Sequence, residues 1–227
     1  MCKIRKKYNK SVVLVSGGMD SCITATIASN ESEQIAFLHA NYGQRTEKRE
    51  LKAFYDIADF LNVNEKLILD FTHLSIIGGS SLTDFSIEVP EADLESKGIP
   101  NSYVPFRNAN ILSAAVSWSE VIEADAIYIG AVEEDSSGYP DCRRSFYDAF
   151  EKIIDEGTKP QTIIKIETPL INMNKSEIVK LGFQFNSPIK LSWSCYRNED
   201  IPCGNCDSCK LREKGFKSAN FIDPIIK

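Results

Sequence analysis

The feature that most constrains this chain is the run Val12-Val13-Leu14-Val15 passing directly into Ser16-Gly17-Gly18-Met19-Asp20-Ser21. A short β-branched stretch that is apolar at every position, not every second one, predicts a strand buried on both faces of a parallel sheet. Ile23, Ile27 and Ala28 then fall at helical spacing, so a helix is expected to begin near Asp20. Between them, two glycines let the backbone turn tightly and approach a ligand without Cβ clashes. Free N–H groups at such a turn, together with the helix N-terminus, form a nest for a polyphosphate. Ser16 and Ser21 add hydroxyl donors. Asp20 would repel a phosphate and is assigned instead to a Mg²⁺ ion bridging phosphate oxygens. The loop lacks the Gly-Lys-Ser/Thr ending of a Walker A loop and is not a dinucleotide GxGxxG.

Further strands are expected at 35–40, Lys66–Leu69, 126–130 and 162–166. Helices are expected over 46–61, 108–120 and 145–154, and Asn174-Lys175-Ser176-Glu177 reads as a capping box opening another. Strand and helix alternate through the first 70 residues. This predicts a doubly wound parallel α/β sheet whose ligands bind at the carboxyl ends of the strands. Residues 78–104, with serines, prolines and scattered acids, are expected to form a long loop or lid. The chain divides into an α/β domain over 1–191 and a cysteine-rich segment over 192–227 with little periodicity, packed on it.

Cys195, Cys203, Cys206 and Cys209 are spaced C-x7-C-x2-C-x2-C, with Gly204 in the turn. Four thiolates at such spacing suit tetrahedral Zn²⁺, and with no fifth ligand evident one structural ion is expected. The seven cysteines, and a basic start (Met1 to Lys7) with no apolar stretch for a signal peptide, predict a reducing, cytoplasmic setting. No apolar run approaches the ~20 residues that span a membrane. A net charge of −6 argues against a nucleic-acid partner but leaves room for a small anion in a local pocket.

The glycine loop resembles the PP-loop of the N-type ATP pyrophosphatases, which bind the pyrophosphate portion of ATP and transfer AMP to an oxygen. On that resemblance Leu14, Val15, Ser16, Gly17, Gly18, Met19, Asp20, Ser21 and Cys22 bind ATP. Further segments narrow the field: Asn41 to Arg45, Gly79 to Thr83, Tyr103 to Asn108, Asp135 to Arg143, Pro169-Leu170 with Lys175, and Ser194 to Arg212. With them the chain resembles the 7-cyano-7-deazaguanine synthases along nearly its whole length, Ser137-Gly138-Tyr139-Pro140-Asp141-Cys142 being the most discriminating stretch. The resemblance implies a ligase that turns 7-carboxy-7-deazaguanine, ammonia and two ATP into the 7-cyano base of queuosine synthesis, by two adenylations at one carbon. It implies free ammonia, no membrane and a homodimer. Asp20, Arg107 and Lys175 are the candidate catalytic residues. Tyr139, Asp141, Arg143 and Phe106 are the candidates for the substrate: Asp141 for the N1–H and 2-amino edge, Tyr139 or Phe106 for stacking on the base. Arg107 either offsets charge on the α-phosphate or forms a structural ion pair, and Lys175 either reaches a phosphate or belongs to the helix cap. The chain departs from the pattern at Glu133-Glu134, which adds negative charge near the expected site.

Two rivals have distinct signatures. A tRNA thiolase of the same superfamily needs a persulfide cysteine outside the cluster, which leaves Cys2, Cys22 and Cys142. An idle binding module docking through its zinc ribbon has no use for an intact phosphate loop.

Overall fold

The computed structural model describes residues 6–94, 98–133 and 138–226. Cys2 and the first basic residues, together with Glu134, Asp135, Ser136 and Ser137, lie outside the described residues. The apolar run forms β1 (Tyr8–Leu14), and α1 (Met19–Glu31) follows the glycine turn. Next come β2 (Ser32–Asn41), α2 (Glu47–Phe60), β3 (Lys66–Asp70) and a single turn of helix, α3 (His73–Ile77), that the sequence pattern does not single out. A long stretch whose described residues form no strand or helix leads to α4 (Arg107–Val121) and β4 (Ala126–Ile129). The chain ends with α5 (Arg144–Gly157), β5 (Lys165–Glu167), α6 (Lys175–Gln184) and α7 (Asp207–Ala219). The expected capping box is present: Asn174 accepts from the Glu177 N–H, and Glu177 reaches back to the Asn174 N–H.

All five strands pair in parallel in the order β3-β2-β1-β4-β5. The central strand β1 is why its sequence is apolar throughout. Val13, Phe37 and Tyr128 face a core shared with Ile23, Phe54, Ile57, Ile178 and Phe216, that is with α1, α2, α6 and α7. Val12, Leu14 and Ile127 face a second core with Leu112, Ala115, Tyr147 and Phe150 of α4 and α5. The connection reverses direction beside β1, where the chain leaves one face of the sheet for the other. That leaves a crevice at the carboxyl ends of β1 and β4, the usual ligand position in such sheets.

The main correction to the sequence reading is α7, a thirteen-residue helix in the segment read as weakly periodic. Its buried positions are Cys209, Arg212, Gly215, Phe216 and Ala219, which keep helical spacing but are not uniformly apolar. Gly215 lets α7 approach α6: a Cβ there would stand 2.9 Å from Lys175 Cβ and 3.1 Å from its carbonyl oxygen. Alanine at position 215 gains up to ~1 kcal/mol of helix propensity, but the overlap with a backbone carbonyl costs about 1–3 kcal/mol. Gly215→Ala is therefore expected to lower the thermal unfolding midpoint. A higher midpoint would show that propensity outweighs the contact.

Candidate active site and metal centre

At the end of β1 the backbone turns through Gly17, whose φ of +89° lies in the left-handed region. A Cβ at Gly17 would meet the Glu50 carbonyl at 2.5 Å, so α2 packs directly on the loop. The Gly17 carbonyl accepts the Trp193 N–H at 2.8 Å. Ser16 Oγ accepts the Gly18 N–H at 3.2 Å and lies 3.2 Å from Ser21 Oγ, which donates to the Gly18 carbonyl at 3.0 Å. The loop is thus held closed by its own hydroxyls. The first N–H groups of α1, with no intrahelical acceptor, open into the crevice. Leu14, Val15, Ser16, Gly18, Met19, Asp20 and Ser21 line a cavity of about 300 Å³ there; Gly17 and Cys22 lie behind it.

Asp20 Oδ2 pairs with Lys175 Nζ at 2.6 Å, tying the start of α6 to the start of α1. Its other oxygen, Oδ1, is buried and has no hydrogen-bond partner among the described residues. Arg107, the first residue of α4, projects into the same cavity, where Nη1 donates to Tyr42 Oη at 3.0 Å. Among the described residues it makes no ion pair. Opposite lies Glu50 of α2, which sequence reasoning missed. Its carboxylate accepts from Thr46 Oγ1 at 2.6 Å and from Gln44 Nε2 at 3.2 Å. Burial pushes its carboxyl up to about 7, against the opposing effects of those two donors and of the Arg107 charge.

The residues expected to hold a base divide. Tyr139 lines the cavity and is buried, its hydroxyl 2.8 Å from Ser102 Oγ, which ties the long loop to this wall. Asp141 is buried behind the lining. Its Oδ2 accepts the Asn108 N–H at 3.0 Å and its carbonyl accepts from Asn108 Nδ2 and Tyr147 Oη, so it anchors the start of α4. Burial raises its carboxyl above the usual range, and the Asn108 N–H opposes this. Phe106 is 60% exposed in a left-handed conformation, and Arg143 is exposed; neither lines the cavity. The departing residue Glu133 accepts the Arg144 N–H at 2.9 Å, which spends its charge at the start of α5. Cys142 lines the cavity, and burial pushes its thiol up to about 11; burial of Cys22 pushes that thiol to about 12.

The ligand atoms of Cys195, Cys203, Cys206 and Cys209 lie within 4.8 Å of one another. Tetrahedral thiolates at ~2.3 Å from a zinc ion stand about 3.8 Å apart, so the cluster fits a metal ion of that size. Cys195 Sγ also accepts the N–H groups of Arg197, Asn198 and Cys203 at 3.3–3.4 Å. Hydrogen bonds from the Cys206 and Cys209 thiols first, and then these backbone donors, hold the Cys195 pKa well below that of a free cysteine. The cluster sits against the cavity: Trp193, Ser194, Tyr196, Ser208, Leu211 and Arg212 all contribute to its wall. Arg212, 3% exposed, is bidentate to Asp223 at 2.7 and 2.9 Å and donates to Ser192 Oγ and Ser194 Oγ. This lock fixes Asp223 to the run that carries Trp193.

Residues 10–220 match a family model described as "Queuosine biosynthesis protein QueC". The chain is 57% identical over 216 residues to a 7-cyano-7-deazaguanine synthase of Chloroherpeton thalassium, covering 95% of this chain and 96% of the relative. It is equally similar, at 57% with the same coverage, to the synthase of that name from Chlorobium phaeobacteroides strain DSM 266. Among solved structures it shares its fold with a 4-thiouridine synthetase in complex with RNA and bound ATP, at a TM-score of 0.53 and 19% identity, over 93% of this chain and 50% of that one. The glycine loop, the parallel sheet and the match over nearly its whole length place the chain in the QueC family of queuosine biosynthesis proteins.

Proposed function

We propose that this chain makes 7-cyano-7-deazaguanine from 7-carboxy-7-deazaguanine, ammonia and two ATP. What carries the reading is the meeting of the PP-loop, Asp20, Lys175 and Arg107 on one cavity, in a chain 57% identical to synthases of that name. A carboxylate is a poor acyl donor. Attack of its oxygen on the α-phosphorus of ATP gives an acyl adenylate and pyrophosphate. Ammonia then displaces AMP to give an amide, and a second adenylation, at the amide oxygen, permits loss of AMP to the nitrile. Both rounds activate an oxygen on the same carbon, so one loop serves both.

In this proposal the N–H groups at the start of α1, with Ser16 and Ser21, hold the departing pyrophosphate. Arg107, whose hydrogen-bond partner among the described residues is the neutral Tyr42, meets the charge that grows on the α-phosphate. Lys175 reaches the polyphosphate from its pairing with Asp20. The buried, unpartnered Oδ1 of Asp20 fits a ligand to Mg²⁺, which when bound neutralises phosphate oxygens. Tyr139 is assigned to stack on the base. Asp141 is assigned a supporting part, holding the start of the helix that carries Arg107, and Phe106 and Arg143 are given no contact with the base.

The cysteine cluster is proposed to bind one structural Zn²⁺ that fixes residues 192–227 against the 1–191 domain and so completes the cavity wall. A cytoplasmic setting suits cysteines kept as thiols. The homodimer enters through the family resemblance, with no interface assigned. No helix of the described residues is long and apolar enough to cross a membrane. Of the three cysteines a thiolase reading could use, Cys2 lies outside the described residues, and burial raises the thiols of Cys22 and Cys142, which disfavours both as persulfide carriers.

Protein incubated with ATP, Mg²⁺, ammonium and the 7-carboxy base is expected to yield the nitrile, detected by mass spectrometry. ATP hydrolysis alone, or no turnover, would overturn the assignment. The Ser16→Ala/Asp20→Ala double variant is expected to lose substrate-dependent exchange of pyrophosphate into ATP, and retained exchange would remove the loop from the reaction. Asp141→Asn keeps an acceptor for the Asn108 N–H and is expected to leave affinity for the base nearly unchanged, whereas a large loss would return Asp141 to the base edge. Metal analysis is expected to find one zinc per chain; active, soluble protein with far less would count against the structural ion.

A further inference from the structure

The proposed reaction leaves one requirement unassigned. At neutral pH the nitrogen donor is almost all ammonium, which has no lone pair to attack a carbon. The group that removes its proton must stand in the cavity, must be a base near neutrality, and must not be committed to the phosphates. Asp20 is paired with Lys175, Cys142 is a buried protonated thiol, and Asp141 lies outside the lining with its Oδ2 on the Asn108 N–H. Glu50 remains. Glu50 lines the cavity, and its own carbonyl abuts Gly17 of the phosphate loop.

We infer that Glu50 is the group that binds ammonium and takes its proton in the amide-forming half of the reaction. This rests on the function proposed above. Ammonium is held by the Glu50 carboxylate and gives it one N–H proton, leaving neutral carboxylic acid and ammonia. The freed lone pair forms the C–N bond at the acyl carbon. The C–O bond to AMP breaks with its electron pair leaving on the phosphate oxygen, the nitrogen loses a second proton to solvent, and Glu50 releases the first to reset. Thr46 Oγ1 and Gln44 Nε2 fix the carboxylate, and Gln44 is in turn fixed by accepting the Tyr42 N–H at 2.8 Å. The titratable and charged groups acting on Glu50 are Arg107 from α4, Tyr42 from the end of β2, and Glu47 from its own helix. Burial raises the carboxyl to about 7, so it takes up and releases protons near neutral pH.

The plain alternative is that Glu50 only organises the first turn of α2. Hydroxylamine separates the two, because it is mostly an unprotonated nucleophile at pH 7 and needs no base to free its lone pair. With 7-carboxy-7-deazaguanine and ATP, Glu50→Gln is expected to lower the ratio of amide formed from ammonium to hydroxamate formed from hydroxylamine by about 100-fold. A purely structural role would lower both products together and leave that ratio unchanged, which would overturn the inference. A second measurement needs no variant. The wild-type rate at fixed total ammonium is expected to stay level from mildly alkaline pH down to about 7 and to fall only below it, while the rate with hydroxylamine falls less; a rate that follows the free-ammonia fraction over that whole range would overturn the role of Glu50. Failure of the functional reading looks different: wild-type protein would then form neither amide nor hydroxamate from this base, and the inference would fall with it.

Discussion

The site depends on how Gly17 is clamped. On one side the Glu50 carbonyl occupies the space a Cβ would need, and on the other the Trp193 N–H bonds to the Gly17 carbonyl. The first contact comes from α2 and the second from the C-terminal segment, so two distant parts of the chain fix a single peptide unit. Any larger residue at position 17 pushes against backbone, which cannot swing aside as a side chain can. The positive φ adds a strain that glycine alone avoids. With the loop fixed this way, the open N–H groups of α1 keep one orientation through both rounds of activation, and no reorganisation is needed between them.

The C-terminal segment is therefore part of the site as well as a cap on it. Phe216 and Ala219 sit in the same core as Ile23 and Ile178, and Gly215 brings α7 onto Lys175. The segment supplies Trp193 to the loop, and the Arg212–Asp223 pair to hold its own end. A buried pair of this kind contributes little net stability against an apolar alternative, but removing one partner strands a buried charge. Its effect is to specify one position for the run that carries Trp193. A metal ion held by the cysteine cluster would act on that same run through Cys195.

What could be read from the sequence follows from which signals are local. β1, its turn and α1 were legible because burial on both faces demands a continuous apolar run, and the turn demands glycine. The capping box was legible because its two hydrogen bonds span four residues. The cysteine cluster was legible from spacing alone. By contrast α7 was hidden, because its inner face carries Arg212, Gly215 and Cys209, where a periodicity search expects leucines. Asp141 shows what a local signal leaves out: its place in a distinctive stretch points to a ligand, while the folded chain also sets its Oδ2 on the Asn108 backbone N–H. Glu50 was passed over as one more acid in the first turn of an amphipathic helix. The signal that marks it, Gln44 and Thr46 placed to fix its carboxylate, means something only once the turn before α2 is folded.

Charge gives the final step. The chain carries a net −6, yet its cavity is proposed to receive ATP and a carboxylate. The contradiction dissolves when the cations around the cavity are sorted by partner. Arg212 is neutralised by Asp223 and Lys175 by Asp20. Among the described residues, Arg107, which donates to the Tyr42 hydroxyl, and Arg45, which donates to the Ser81, Asp84 and Ile87 carbonyls, line the cavity without an ion pair. Surface acids far from the crevice are screened by salt within about 10 Å, so the global sign says little about the field inside. Within the cavity Arg107 acts over short distances and through little water, where a single charge counts most. The same reasoning explains why Glu50 is tolerated so close to anionic substrates: with its carboxyl raised to about 7, it carries a full negative charge only part of the time near neutral pH. On the proposed reading a cationic nucleophile would meet the Glu50 carboxylate, while Asp20 stays paired with Lys175 beside the phosphate loop.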